Sequence, residues 1–263
     1  MTQPVNTTHL IASMQDARNR TLELVCDLDD QQLMGPKLRT VNPLKWEIAH
    51  AAYFYEYFIL RKLYGYDSVI GDKADELYDS INVNHDVRWD LPLPNRKDTL
   101  AYMQAVFDRL AEHLDRGQNG GRASEQDSFI YQFGVFHEDM HTEAFLWARQ
   151  TLAYPTPILT IAADVSAERA AGGHLGWSAV PGGQFSLGAH RSAPFLFDNE
   201  KWAHKVVIAP FEIAKAPVTN EEFQAFVDSS GYENEAYWDS EGWAWRQETG
   251  ARHPVFWQPD GPG

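Results

Sequence analysis

Apolar residues recur with a helical period over most of the first 157 positions of the chain. Where the period stops, chain-breaking or capping residues follow, as at Gly35-Pro36 after the first helix. Asn42 and Pro43 have the residue types of an N-cap and a first helical position, and Asn95 is a plausible cap for a later helix. The pattern predicts four helices, over residues 10–33, 43–63, 97–115 and 124–152.

The connection between the second and third predicted helices, residues 65–94, is long and rich in loop-forming residues. Four helices with one long crossover are typical of a bundle, whose core is a natural place for a metal site. The first half of the chain therefore predicts a four-helix bundle. Within its first helix, Cys26 is expected to be a buried packing residue rather than a nucleophile.

The pattern changes after Pro157. Residues 162–173 are rich in alanine, glycine and charge, which is typical of a linker. One amphipathic helix is predicted from Asn220 to about Ser229, with Thr219 as its N-cap. Strand-like runs separated by turns precede it, at 182–188, 205–208 and 211–213. Because these strands lack partners and only one helix follows them, we expect the second domain to be incomplete, with Phe226, Trp238 and Trp257 unpartnered.

Composition narrows the class of protein. The 263 residues carry a net charge of −15, which disfavours binding to nucleic acid or to an anionic membrane. The single cysteine excludes an internal disulfide and suits a reducing compartment. The N-terminus lacks an apolar signal core, and no run approaches the roughly 20 apolar residues of a membrane span. The sequence thus predicts a soluble, cytoplasmic protein and leaves its oligomeric state open.

The most informative chemistry lies inside the fourth predicted helix. His137 and His141 are four positions apart, which on a helix places both imidazoles on one face, close enough to bind one metal ion. His50, on the second predicted helix, is a third candidate ligand. Three histidines from two helices would leave coordination positions open, which suits catalysis rather than a closed structural site.

Two other interpretations of these histidines stay open on spacing alone. They are also consistent with core histidines satisfied by hydrogen bonds. In addition, the run from His137 to His141 reads H-E-x-x-H, the pattern of zinc proteases, with Glu138 at the glutamate position. A metal-bound imidazole needs an acceptor for its other N–H group, and the candidate acceptors are Glu47, Glu138, Asp139 and Glu143.

The sequence also resembles a known family over nearly its whole length. Its first half resembles a DinB-type four-helix bundle, and its second half resembles the start of a formylglycine-generating-enzyme (sulfatase-modifying-factor) domain, which is C-type-lectin-like. The motifs that carry the second likeness are Val180–Gly188, Asp198–Glu200, Pro217–Phe223 and Gly242–Trp245. This pairing is characteristic of the ergothioneine-type sulfoxide synthases (EgtB-like), non-haem iron enzymes that use O2 to join sulfur to the imidazole of hercynine.

The resemblance implies a multi-domain, α then α+β fold. It places the metal-binding bundle at residues 1–157, a linker at 158–176 and the incomplete second domain at 177–263. It also implies that His50, His137 and His141 bind Fe²⁺, and it makes the zinc-protease interpretation a poor one. Hercynine, O2 and a thiol or selenosugar donor would be the small-molecule substrates. The family's catalytic tyrosine lies later in the second domain, so we expect it beyond Gly263.

Arg88 and His85 are the candidate substrate-binding residues. Arg88 matches a basic residue of the mycobacterial-type enzymes, which have a second arginine three positions earlier to hold the carboxylates of γ-glutamylcysteine. Here that position is His85, a weaker carboxylate clamp at neutral pH. The runs 83–94, 136–140 and 149–152 look more like the selenoneine synthase branch, so formation of a C–Se or a C–S bond is left open. A zinc-dependent DinB-type thiol transferase and a non-catalytic binding module are the alternatives.

Overall fold

The structure is a computed structural model that describes residues 4–116, 121–160 and 175–258. The chain divides into two compact units. One comprises Met1–Ala167 together with Ser186–His204, and the other comprises Glu168–Phe185 together with Lys205–Gly263. The predicted linker at 162–173 lies outside the described residues.

The first unit is helical. Its helices are α1 (Thr7–Glu23), α2 (Asp30–Met34), α3 (Leu44–Tyr55), α4 (Lys73–Tyr78), α5 (Arg96–Arg116) and α6 (Glu125–Thr151). The long helices pack as a bundle, with α1 against α6 and α3 against both α5 and α6. The predicted four-helix bundle is confirmed, as is the predicted cap Asn95. Ser124, near which the last helix was predicted to begin, is the N-cap of α6.

Helix α3 is the centre of this bundle. All of its residues except Lys45 are buried, which is typical of a helix with neighbours on every side. The bundle core around it contains Leu10, Met14, Ile48, Val106, Leu110 and Phe145. Burying one such side chain contributes about 1.5–3 kcal/mol. A polar residue on α3, such as His50, is therefore buried by its position alone.

The first predicted helix is wrong in its second half. Helix α1 ends at Glu23, and α2 begins only after Asp29, which forms a reciprocal capping box with Gln32. The apolar residues in between, Leu24, Val25 and Leu28, pack into the core from a turn, and this preserved the apparent period. Cys26 lies in this turn and is exposed, so its predicted burial was wrong.

The second predicted helix also differs from the structure. Pro43, not Asn42, is the N-cap of α3, and no side chain caps the helix there. The Asn42 side chain instead accepts a hydrogen bond from Arg88. After Tyr55 the helix continues as a π-helical segment, Glu56–Arg61. The predicted loop at 65–94 contains α4 and a 3-10 turn, His85–Val87.

The second part of the described chain begins with short strands. They are β1 (Trp177–Val180), β2 (Gly183–Leu187), β3 (His204–Ile208) and β4 (Phe211–Ala214). Strand β1 pairs with β4 in an antiparallel register from Trp177↔Ala214 to Val180↔Phe211, and β2 pairs with β3. Gly182 is required by packing, because a Cβ atom there would lie 2.8 Å from the carbonyl oxygen of Ile208. The expected α+β start of the second domain is confirmed.

Two helices follow the strands. Thr219 caps α7 (Asn220–Asp228) as predicted, in a capping box with Glu222. Helix α8 (Ser240–Thr249), capped by Asp239, was not predicted. The expectation that aromatic residues here lack partners was also wrong. The described residues give neighbours to Phe226 (Tyr232, Tyr237), Trp238 (Tyr232, Trp245) and Trp257 (Phe223).

None of the helices in the described ranges is both long enough and apolar enough to cross a membrane. The cytoplasmic location inferred from composition stays a prediction.

Candidate metal centre

His50 from α3 and the pair His137 and His141 from α6 lie together in the bundle. One nitrogen from each side chain lies within 4.8 Å of the others. The ring centroids are 5.4 Å apart for His50 and His137, 5.0 Å for His50 and His141, and 4.6 Å for His137 and His141. The contact between α3 and α6 thus brings together the three histidines that the sequence singled out.

Hydrogen bonds at Nδ1 orient two of these rings. His50 Nδ1 lies 2.8 Å from the carbonyl oxygen of Tyr78, which can only accept, so Nδ1 carries the proton. His141 Nδ1 lies 2.8 Å from Glu47 Oε1. In both rings Nε2 is then the nitrogen with the lone pair. Acceptors of this kind fix the tautomer and orientation of metal-binding histidines.

The third ring, His137, is held by stacking. It lies on Phe54 with ring centroids 3.9 Å apart and an interplanar angle of 17°. Its Nδ1 atom is buried and has no hydrogen-bond partner among the described residues. Such an atom costs about 1–3 kcal/mol and calls for an explanation. A metal ion bound through Nδ1 would supply one, because the cation would take the place of the missing partner.

Burial keeps two of the imidazoles neutral. Removal from water lowers the pKa of His50 to about 3, with the neighbouring His141 adding to the effect. The same cause lowers the pKa of His137 to about 2, with His141 and His50 contributing. Neutral imidazole is the form that binds metals. The donor set therefore fits a divalent transition-metal ion.

The glutamate of the H-E-x-x-H run does not serve this site. Glu138 is 1% exposed and accepts hydrogen bonds from two residues of α1, Arg18 Nε at 2.8 Å and Thr21 Oγ1 at 3.0 Å. A carboxylate committed to these donors is not available as a general base for a metal-bound water, as a zinc protease would require. Of the other predicted acceptors, Asp139 pairs with Arg20 and Glu143 is exposed, so only Glu47 contacts a ligand histidine.

Sequence reasoning missed Trp46. This residue is 1% exposed, and its ring stacks on His50 with centroids 4.7 Å apart and planes 9° apart. The guanidinium carbon of Arg88 lies 3.8 Å from the centroid of the same indole. Trp46 and His50 are separated by four positions on one helix, the spacing of side-chain neighbours, and this was the available signal.

The two predicted substrate-binding residues are anchored to nearby loops. Arg88 is 9% exposed, and it donates to Asn42 Oδ1 at 2.7 Å and to the Val83 carbonyl oxygen at 3.1 Å. His85 Nε2 lies 2.8 Å from the carbonyl oxygen of Val41. The structure brings Arg88 to Trp46, and the charge of Arg88 is one of the lesser causes of the lowered pKa of His50.

An aromatic segment covers α6 beside the histidine pair. Phe195 lies 4.7 Å from Phe136 and 5.3 Å from Phe129, measured between ring centroids. Phe197 lies 5.7 Å from Phe133, which in turn contacts Phe54. These rings pack on one face of α6, and through Phe133 and Phe54 the contacts lead to His137.

Two family models match the chain. Residues 13–145 match the DinB superfamily, and residues 164–262 match the sulfatase-modifying factor enzyme 1-like domain. Among similar proteins, the hercynine oxygenase of Mycolicibacterium smegmatis is 35% identical over 248 residues, which cover 93% of this chain and 56% of that protein.

Two further hercynine oxygenases give a consistent picture. That of Mycolicibacterium thermoresistibile is 35% identical over 258 residues, covering 96% of this chain and 55% of the relative. That of Mycobacterium tuberculosis is 33% identical over 254 residues, covering 96% and 58% respectively. The chain therefore spans a little over half the length of the curated relatives it matches.

Proposed function

The chain belongs to the EgtB-like family, in which a DinB bundle precedes a formylglycine-generating-enzyme-like domain, and we propose from this membership that the protein is a metal-dependent oxygenase that modifies hercynine. The observation that carries the proposal is the cluster of His50, His137 and His141 in the bundle. The named activity of the similar proteins supplies the substrate.

Fe²⁺ is the metal that we propose for this cluster. Three imidazole ligands, with no carboxylate among the ligand candidates in the described residues, would leave the ion its full positive charge and open positions, where it would supply activation of O2 and attachment of the sulfur or selenium donor. The protein's own contribution is orientation. Tyr78 and Glu47 fix the rings of His50 and His141, and Phe54 supports His137.

The second part of the proposal is the identity of the sulfur or selenium donor. Arg88 and His85 are proposed to face the donor, and both already bind groups of the protein. A single buried arginine beside a histidine is a poor receptor for the two carboxylates of γ-glutamylcysteine. This supports a selenosugar, and hence a C–Se bond as in selenoneine biosynthesis, over the C–S bond of ergothioneine biosynthesis. The sequence runs that resemble the selenoneine synthase branch favour the same choice.

A zinc-dependent thiol transferase of the DinB type is the second candidate function. It is favoured by one observation, since the three-histidine cluster and the DinB match both lie within the bundle and need nothing from the second unit. It predicts bound Zn²⁺ and no consumption of O2. A non-catalytic binding module predicts neither turnover nor a requirement for metal.

Metal analysis combined with O2 uptake tests these alternatives. The complete gene product is purified without oxygen, its metal content is measured, and O2 uptake is followed with hercynine plus a selenosugar, γ-glutamylcysteine or cysteine. We expect one Fe²⁺ per chain, hercynine-dependent O2 uptake, and a C–Se product by mass spectrometry. Zn²⁺ without O2 uptake would support the transferase. Hercynine binding without turnover in the iron-loaded protein would support the binding module.

A further inference from the structure

Two consecutive carbonyl groups at the end of α4 hold two different rings of α3. The Leu77 carbonyl oxygen accepts from Trp46 Nε1 at 2.6 Å, and the Tyr78 carbonyl oxygen accepts from His50 Nδ1 at 2.8 Å. The last carbonyls of any helix have no partner within the helix. Here the end of α4 uses two of them to fix an indole and an imidazole side by side.

The stacking geometry completes this fixation. The hydrogen bond to Tyr78 sets the direction in which the His50 ring points, but it leaves the ring free to tilt about that bond. The parallel contact with Trp46, at 4.7 Å and 9°, removes the tilt. Because Trp46 is almost fully buried and its own N–H is bound, the indole is a rigid surface for the imidazole.

Arg88 holds the indole in turn. Its guanidinium carbon lies 3.8 Å from the indole centroid, and its N–H groups are tied to Asn42 and Val83. A cation over a tryptophan face attracts the ring more strongly when the cation is withdrawn from water, as Arg88 is. The neighbouring residue on α3, Glu47, orients His141, so the consecutive residues Trp46 and Glu47 each contact one histidine of the cluster.

We propose that Trp46 is a positioning residue for the metal ligand His50 and that Arg88, besides facing the donor, holds Trp46 in place. This inference rests on the metal centre proposed above. It concerns the geometry of the metal ligands, so its effects on metal affinity can be measured with a metal ion alone and without any substrate.

Co²⁺ binding to the 263-residue chain is the test. Co²⁺ reports its coordination through visible absorption bands, and its affinity follows from titration. Stoichiometric binding by the unsubstituted chain, lost in His137→Ala, establishes the baseline. If the unsubstituted chain binds no Co²⁺, the metal centre itself is refuted, which is a different result from a failure of the positioning role.

Two substitutions of Trp46 distinguish the effect of ring stacking on His50 from the effect of filling the core with a large side chain. Trp46→Leu removes the ring and is expected to weaken Co²⁺ binding by roughly 10- to 100-fold, as for other outer contacts of metal-bound histidines, and to change the visible bands. Trp46→Phe keeps an aromatic face and is expected to retain most of the affinity. Leu110→Ala is the control, because it opens the core on α5, a helix that supplies none of the three histidines. If Leu110→Ala weakens Co²⁺ binding as much as Trp46→Leu does, the role of Trp46 is merely structural.

Arg88→Met tests the second half of the proposal. We expect it to change the same Co²⁺ bands as Trp46→Leu in the absence of substrate. The matched control is Arg191→Met, since Arg191 lies 4.1 Å over the ring of Trp202 and forms the same kind of contact away from the histidines. A Co²⁺ spectrum unchanged in Arg88→Met, combined with a raised KM for the donor in the complete gene product, would overturn the positioning role and leave Arg88 with the donor alone.

Discussion

The buried ion pair between Arg18 and Glu138 offers the sharpest test of how the H-E-x-x-H run is used. Both side chains are almost inaccessible, at 4% and 1% exposure. Glu138 accepts from Arg18 Nε and from Thr21 Oγ1, and Arg18 Nη1 also donates to the Met103 carbonyl oxygen at 3.0 Å. The pair therefore joins α1 to α6 and α5. Replacing Arg18 by methionine removes the charge while keeping a side chain of similar length.

The expected cost follows from what remains buried. Arg18→Met leaves the Glu138 carboxylate in the core without its cationic partner and with neutral hydroxyl donors such as Thr21, and breaking a buried pair in this way costs about 3–5 kcal/mol. The double variant with Glu138→Gln carries no buried charge, so its loss of stability should be smaller than that of Arg18→Met alone. Such a pattern is non-additive, as expected for residues in direct contact.

Urea unfolding followed by circular dichroism at 222 nm measures these costs, because the helical unit dominates that signal. Arg116→Met is the matched control, since Arg116 pairs with Glu112 on the surface of α5, and loss of such a pair costs below about 1 kcal/mol. Co²⁺ binding should survive in Glu138→Gln. A variant Glu138→Gln that unfolds like the unsubstituted chain but loses all turnover of the complete gene product would refute the structural role and restore a catalytic one.

Three further predictions concern the histidines. His137→Ala should abolish stoichiometric iron binding, measured by metal analysis after anaerobic reconstitution; retained iron would show that the ligand assignment is wrong. Glu47→Gln should weaken metal binding roughly 10-fold because the acceptor for His141 loses its charge, whereas the exposed Glu143→Gln should have no effect in the same titration. In the metal-free chain, burial lowers the pKa of His50 to about 3 and that of His137 to about 2. The unfolded state then binds more protons below about pH 6.5, so stability should fall by about 1.4 kcal/mol per pH unit for each ring as the pH drops from there towards 3. Urea titrations at several pH values measure this slope, and a stability independent of pH between 6 and 4 would contradict the burial of the rings.

Sequence patterns predicted those features of the site that depend only on the spacing of neighbouring residues. His137 and His141 share a helix face wherever that helix packs, and the Asn95 cap of α5 binds an N–H group only three positions away. By contrast, the choice of Glu47 among four acidic candidates depends on which helix lies opposite His141. The end of α1 at Glu23 was missed because Leu24, Val25 and Leu28 stay buried after the helix has ended. The spacing of apolar residues indicates which positions are buried, and it does not by itself distinguish a helix from a turn.

The five-residue run from His137 to His141 shows why the same motif has different meanings in different folds. Successive residues on a helix point about 100° apart, so His137 and Glu138 cannot serve one neighbour. Because α6 packs against both α3 and α1, the histidines meet His50 on one side while Glu138 meets Arg18 on the other. In a protease the glutamate must reach the metal-bound water, which requires an open cleft on that side of the helix. In this bundle a third helix occupies that side, and the acceptor for His141 comes instead from α3, where Glu47 lies beside Trp46. The chemistry of the run is thus decided by the helices packed around it, and any variant that changes the α1 contact should alter stability before it alters metal binding.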